Sequence, residues 1–329
     1  MPFEILRQDI TKMHVAAIVN STSAHPSMGG GSDFEIHQAA GDELFKERET
    51  FGVLEEGRAI LTKGYQLPAP YVIHVVGPVY LGGQHEEHGR LRQTYLSALS
   101  LARYHQLESI AFPLISSGTY QFPRGEALDV ALSAIKTFLD EHEMMIYLLV
   151  YDDASYQVSL ERFISVKNYL EASPSDSLFA AQNLSERLSV SNLSHESDAS
   201  IRSEKRSLDD LDLELDETFA ESLFRLIDER GLNDVDVYKK ANIDRKLFSK
   251  IKSNPHHQPS KLTALAFALA LELNLDQTKD LLNKAGYSLS PSSKFDKIIA
   301  YFIEEETFDL FEINQVLFAF EQKTLGGLE

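Results

Sequence analysis

The sequence predicts a three-layer α/β/α sandwich around a mixed central sheet, followed by a serine-rich connector and a separate all-α domain. Three observations carry this. Short, nearly continuous apolar runs alternate with amphipathic helical stretches through the first half, the pattern of strands buried on both faces. Residues 171–215 then hold eleven serines and no glycine. From 216 onward, apolar residues recur only at helical spacing. A chain of 329 residues has room for about two domains.

The first unit, residues 1–170, takes its strands from Ala16–Val19, Tyr71–Val76, Ile110–Leu114 and Ile146–Val150. Leu91, Tyr95, Ala98, Leu99 and Ala102 share one helical face, as do Ala127, Val130, Ala134 and Phe138. These helices cover a sheet, and Leu160 to Leu170 forms the closing helix. Residues 171–215 end in Asp209-Asp210-Leu211-Asp212 and offer too little apolar surface to offset their ordering entropy. They read as a flexible linker with a transient helix around Leu178–Leu188.

Residues 216–329 are all helix. Phe219, Leu223, Leu226 and Ile227 form one stripe, ended by Gly231. A short helix follows around Val235–Ala241, and Ile243, Leu247 and Ile251 line the next. Leu262, Leu265, Ala266, Leu269 and Leu273 give a fourth; Leu281, Leu282 and Ala285 a fifth, stopped at Gly286. Two more lie around Phe295–Phe302 and Ile313–Phe320.

Net charge is −19. Each part is acidic, with 13 Lys+Arg against 21 Asp+Glu in 1–170, 4 against 10 in 171–215 and 14 against 19 in 216–329. Wrapping of nucleic acid by the first unit is disfavoured. An anionic ligand is still admissible, because bulk charge is screened over roughly 8 Å while hydrogen bonds to a charged group contribute about 1.5–3 kcal/mol each. The absence of cysteine excludes disulfides and thiolate zinc sites. No His-x-x-x-His or carboxylate cluster suggests a metal, and no cofactor is implied. Charges at Glu4, Arg7 and Asp9 sit where a signal peptide needs apolar residues. The longest apolar stretch, Leu262 to Leu273, is too short for a bilayer. The expectation is a cytoplasmic protein that does not engage a membrane.

Two loops concentrate the chemistry. One runs from Val19 through Asn20, Ser23, His25, Met28, Gly29, Gly30, Gly31, Ser32 and Asp33; the other reads Ser116-Ser117-Gly118-Thr119-Tyr120-Gln121-Phe122-Pro123. Each leaves an apolar strand and enters a helix through small residues, which aims backbone N–H groups at an anion. A diphosphate-binding cleft is the leading reading.

Asp9-Ile10-Thr11, the Asn20 loop, the glycine run with Asp33, Ala39-Ala40-Gly41, Tyr71-Val72-Ile73-His74-Val75-Val76-Gly77-Pro78 and the Ser-Gly-x-Tyr-x-Phe-Pro loop occur here in that order. In this the sequence resembles macrodomains, the ADP-ribose-binding modules, and within them the MacroD-like group that removes ADP-ribose from proteins. The resemblance spans roughly residues 1 to 170. It implies that Asp9, with Ile10, meets the adenine amino group and that Tyr151 packs on adenine. Asn20, Gly30, Gly31 and Ser32 line the first loop, with Gly30 and Gly31 allowing close approach or φ > 0. Ser116, Ser117, Gly118, Thr119 and Tyr120 hold the phosphates, and Tyr120 and Phe122 wall the distal ribose. His37 and His74 occupy mainly structural positions, while His25 is free to reach the distal ribose. His256-His257 reads as a solvated loop.

By the same resemblance Asp33 is the candidate for chemistry, positioning water as a general base or stabilising charge on ribose. An N-cap for a helix starting at Phe34 is the plainer reading of the same residue. Three departures bear on catalysis. The family's second Asn, ten residues before the Asp, is Ser23, a fourth glycine is Met28, and Phe34 replaces a small residue. Loss of one transition-state donor costs on the order of 10²–10³ in rate. Ser23 therefore stands beside Asp33 in the catalytic set.

The five helices after 216 are similar in pattern to the lambda-repressor or Cro type of helix-turn-helix domain. Arg245, Ser249 and Lys252 then lie on the face opposite Ile243, Leu247 and Ile251, the face that enters a major groove, and Lys246 joins them as a candidate DNA contact. A charged solvent face or a protein-binding surface fits the same residues. Three functions compete: an ADP-ribosyl ester hydrolase with a targeting domain, an ADP-ribose sensor that regulates through DNA, and an antitoxin-like or defence interaction protein.

Overall fold

The computed structural model describes residues 3–150, 160–171 and 217–326. Tyr151, the expected 171–215 linker apart from Glu171, with its helix around Leu178–Leu188, and Asp216 lie outside the described residues.

Six strands form one sheet: β1 (Phe3–Leu6), β2 (Ala17–Ser21), β3 (Ala59–Lys63), β4 (Tyr71–Val75), β5 (Ser109–Pro113) and β6 (Met145–Leu149), in the order β1-β6-β5-β2-β4-β3. Only β3 runs antiparallel, against β4. The central strands alternate between two cores. Ala17 and Val19 face one side with Ile73, Ile110 and Phe112; Ile18 faces the other with Val72 and Ala111. Burial on both faces is why these runs are continuously apolar. The edge strands β1 and β3 escaped the sequence reading, because each alternates buried and partly exposed residues over four or five positions.

Helices α3 (Glu87–Tyr104) and α4 (Arg124–Glu141) cover one face, and α1 (Ser32–Ala40) and α2 (Asp42–Glu49) the other. A 3₁₀ turn, Ile10–Lys12, follows β1. Helix α5 (Leu160–Glu171) was expected to close the sandwich. Its described apolar side chains Val166, Tyr169 and Leu170 pack instead into the helical core, with the Tyr169 ring 5.2 Å from Tyr301.

The remaining helices are α6 (Phe219–Glu229), α7 (Asp234–Lys240), α8 (Arg245–Ser253), α9 (Lys261–Ala270), α10 (Leu275–Lys284), α11 (Lys294–Glu304) and α12 (Leu310–Ala319). Their starts follow from side-chain caps, including capping boxes at Thr218/Glu221 and Asn274/Gln277. Gly231 and Gly286 end α6 and α10 at positive φ, as their spacing predicts. Phe267 and Phe302 sit fully buried at the centre.

These helices meet the sheet along β1. Asn242 accepts from Phe3 N at 2.6 Å and donates to Phe3 O at 2.8 Å, so one side-chain amide takes the place of a neighbouring strand. Phe3 stacks on Phe311 at 5.2 Å, and Phe318 joins the core of the sheet. Tyr238 donates to Glu143 and Lys136 to Asp309. The expected separation of the two units is therefore bridged by a shared core and polar contacts. Among the described residues, no helix is long and apolar enough to cross a membrane.

Candidate functional site

Strands β2, β4 and β5 are parallel neighbours, so the loops leaving their carboxyl ends share one edge of the sheet. Ligands of open α/β sheets bind at that edge.

The loop after β5 is open. Ser116 adopts φ +64°, and Phe122 N returns to Ser116 O at 3.0 Å to close the turn. The N–H groups of Ser116, Gly118, Thr119 and Tyr120 have no partner among the described residues, the concavity that receives an anion. Ser117 uses its hydroxyl on Leu114 O, and Gly118 and Thr119 are exposed at the tip. The Ser116 hydroxyl is buried without a partner beside Gly77, where a Cβ would stand 2.3 Å from it. Tyr120 is half-buried and packs with Ala24 on Leu54, Ile60 and Val76. Burial raises its phenol, with help from the charges of Asp33 and Glu56. Phe122 does not wall a cleft: it is 1% exposed and locked between Tyr80 and His88.

The loop after β2 binds itself. Asp33 is 2% exposed; one oxygen accepts from Asn20 Nδ2 at 2.6 Å, the other from Gly29 N at 2.5 Å. It is not an N-cap. Gly31, at φ +64°, holds that position without a side-chain bond, and Asp33 lies in the first turn. The N–H groups of Ser32, Asp33 and Phe34 consequently remain uncapped. Gly31 meets the expectation of positive φ, but Gly30 neither adopts it nor crowds a neighbour. Gly29 is the constrained one, because a Cβ there would come within 2.9 Å of Asp33 Oδ2. The Ser23 hydroxyl is engaged within its own loop, donating to His25 O at 2.8 Å and meeting Ser27 Oγ at 2.9 Å.

Beneath Asp33 lies a buried polar cluster. His37 Nε2 is 3.6 Å from Asp33 Oδ1, and His74 bridges Asn20 and Thr62. Burial depresses both imidazoles; His74 is pushed down to about 3, with His37 and Arg48 adding to the effect. Both are neutral at pH 7. Arg48, 1% exposed, completes the cluster and was missed in the sequence. Its signal was position: it lies four residues after Leu44 on the buried face of α2, where a long cation normally reads as a stem lying along apolar surface.

Asp9 caps the 3₁₀ turn, accepting from Thr11 N at 2.9 Å and Thr11 Oγ1 at 2.7 Å, with Lys12 Nζ at 3.5 Å. The Thr11 hydroxyl, then its backbone N–H, then Lys12 hold it below the usual carboxylate range against the opposing push of burial. Ile10 is buried core.

With this geometry in view, the comparisons are informative. The Macro domain family profile matches residues 19–131. A Macro domain-containing protein of Methanosarcina mazei is 44% identical over 46% of this chain and 82% of its own length. The chain belongs to the Macro domain family. Another relative, the O-acetyl-ADP-ribose deacetylase of Escherichia fergusonii, is 41% identical over 45% of this chain and 88% of its own. A Mus musculus protein named ADP-ribose glycohydrolase is 40% identical over 49% of this chain and 52% of its own length. Each of the three alignments covers about half of this chain.

On α8, Arg245, Lys246 and Ser249 are exposed as expected, and Phe248 joins Leu247 and Ile251 inside. The basic cluster around them is partly neutralised. Lys252 pairs with Asp234, Lys240 with Glu272 and Lys261 with Asp296, while Lys239 donates to Asp140 O.

Proposed function

We propose that the protein binds ADP-ribose at the edge formed by the two loops and hydrolyses ADP-ribose esters there. One observation carries the reading: uncapped N–H groups of the β5 loop and of the α1 amino end sit at the carboxyl edge of adjacent parallel strands. Directed donors of this kind suit a diphosphate. The names of the Escherichia fergusonii and Mus musculus relatives, a deacetylase and a glycohydrolase of ADP-ribose derivatives, support the substrate class.

In this reading Asp9 meets the adenine end, and Ser116 to Tyr120 hold the phosphates. Asp33, oriented by Asn20 and Gly29, polarises water near the anomeric carbon. Ser23 supplies less help than a carboxamide would, since its hydroxyl is already engaged, and turnover is slow. The test is release of free ADP-ribose from a mono-ADP-ribosylated carboxylate acceptor by wild type and Asp33→Ala. Release that the variant abolishes supports the hydrolase. Binding without release by either makes the protein an ADP-ribose reader.

A second reading concerns the helical part. The exposed Arg245, Lys246 and Ser249 favour contact with DNA. Against it, Lys252, Lys240 and Lys261 are already paired with carboxylates and Lys239 with a backbone carbonyl, which leaves less free positive charge for phosphate. A gel shift at fixed salt, with and without ADP-ribose, decides. No specific shift in either condition would assign this face to a protein partner or to plain solvation.

A further inference from the structure

A buried cation with an unpaired donor is costly, and an apolar side chain of similar volume would often serve stability as well. Arg48 is such a cation. It is 1% exposed, and its Nε has no partner. Its terminal nitrogens reach three carbonyls: Nη1 donates to Gly52 O at 2.8 Å, and Nη2 to Ser23 O at 3.4 Å and Ala24 O at 3.2 Å. Ala24 O also accepts from Leu54 N at 2.8 Å. The guanidinium and the Asp33 carboxylate attract, opposing the downward push of burial on Arg48.

The carbonyls it holds belong to consecutive peptides of the β2 loop. In a trans peptide, C=O and N–H point in opposite directions, and no cis bond occurs among the described residues. With the Ser23 and Ala24 carbonyls drawn inward, the N–H groups of Ala24 and His25 must point away from Arg48. Neither has a partner among the described residues. Ala24 and Tyr120 of the opposing loop pack against the same small cluster of Leu54, Ile60 and Val76, which brings the two loops to one patch of the sheet edge.

We infer that Arg48 is a positioning residue of the ligand site: by holding the Ser23 and Ala24 carbonyls from below, it aims the Ala24 and His25 N–H groups at the bound ADP-ribosyl group. This rests on the ADP-ribose reading above. Arg48 touches no ligand and acts through the loop. The fork of a guanidinium reaches several carbonyls at once, which a lysine ammonium cannot do in the same fixed geometry.

The experiment is an amide-resolved NMR titration of the full chain with ADP-ribose, with affinity by calorimetry. In wild type, the Ala24 and His25 amides should shift together with those of Gly118 and Thr119. In Arg48→Met, the Ala24 and His25 responses should vanish and affinity fall about tenfold or more, while Gly118 and Thr119 still respond. Arg48→Lys should recover only part of the affinity; full recovery would mean that charge alone matters and would overturn the directional role. If Ala24 and His25 stay silent in wild type while Gly118 and Thr119 shift, the inference is wrong and the cleft assignment survives. If all four stay silent, the ADP-ribose reading fails and this inference with it. The wild-type titration stands on its own should Arg48→Met not fold.

Discussion

The two halves of the molecule treat helix amino ends in opposite ways. Every helix from α6 to α12 closes its own end with a side chain, in turn Thr218, Asn233, Asp244, Ser260, Asn274, Ser293 and Asp309. Helices α1 to α4 begin at Gly31, Gly41, Glu86 and Pro123 with no side-chain cap. A side-chain cap satisfies one of four orphan donors and is worth about 1 kcal/mol. The helical half uses that stabilisation; the sheet half leaves the α1 donors available beside an open loop. Self-sufficiency marks the scaffold, and unsatisfied backbone marks the site.

The strongest challenge to this contrast is Gly118→Glu. It places an anion among the free N–H groups of the β5 loop, and ADP-ribose affinity should fall beyond detection by calorimetry. Unchanged affinity would mean that the open donors serve nothing. Next, Asp33→Ala strips Asn20 Nδ2 and Gly29 N of their acceptor in a buried site. Denaturant unfolding should register a loss of about 2–4 kcal/mol, together with loss of any ADP-ribose release. Stability within experimental error of wild type would show that Asp33 does not organise the loop.

Ser23→Asn asks whether the β2 loop can be made a better catalyst. If a carboxamide reaches the reacting group, ADP-ribose release should rise about tenfold or more. No gain would leave the Ser23 substitution without catalytic consequence.

The buried imidazoles give the sheet half a pH signature. His74 has a folded value of about 3 against 6.5 unfolded, so the unfolded chain binds the extra proton between those limits. Its contribution is fully present above pH 6.5 and is lost as pH falls toward 3. His37 acts in the same direction. Unfolding free energy should therefore drop through this window in wild type and more gently in His74→Gln; parallel curves would remove His74 from the account. The smallest effect expected is from Thr218→Ala, which should cost about 1 kcal/mol and leave ADP-ribose affinity alone. A change in affinity would mean that the halves are coupled through α6.

Much of this architecture was legible beforehand, for reasons that can be named. Continuous runs such as Ile110–Leu114 declared the central strands, and Gly231 and Gly286 declared where helices stop. The open loop after β5 was legible because Ser116 to Tyr120 combine small residues with a position after a buried strand. What stayed hidden depends on partners distant in sequence. Phe3–Leu6 is a strand only because β6 and Asn242 flank it. Arg48 is inward only because three carbonyls converge on it. Asp33 read equally as cap or catalyst, and its true acceptor role was set by Gly29 folding back over it. Phe122 reads from its place after the loop as a cleft wall, yet it lines the core because Tyr80 and His88 close around it.

The amide of Asn242 joins positions separated by 239 residues. During synthesis at about 5–20 residues per second, roughly 10–50 s pass between the emergence of Phe3 and that of its partner. Until then, the outer rim of the sheet is an unguarded template for pairing with another chain. The six strands of the sheet are complete in sequence long before that rim is sealed. The helical half thus acts on the nascent chain as a late-arriving guard, and the interval before it docks is when the protein is most open to misassembly.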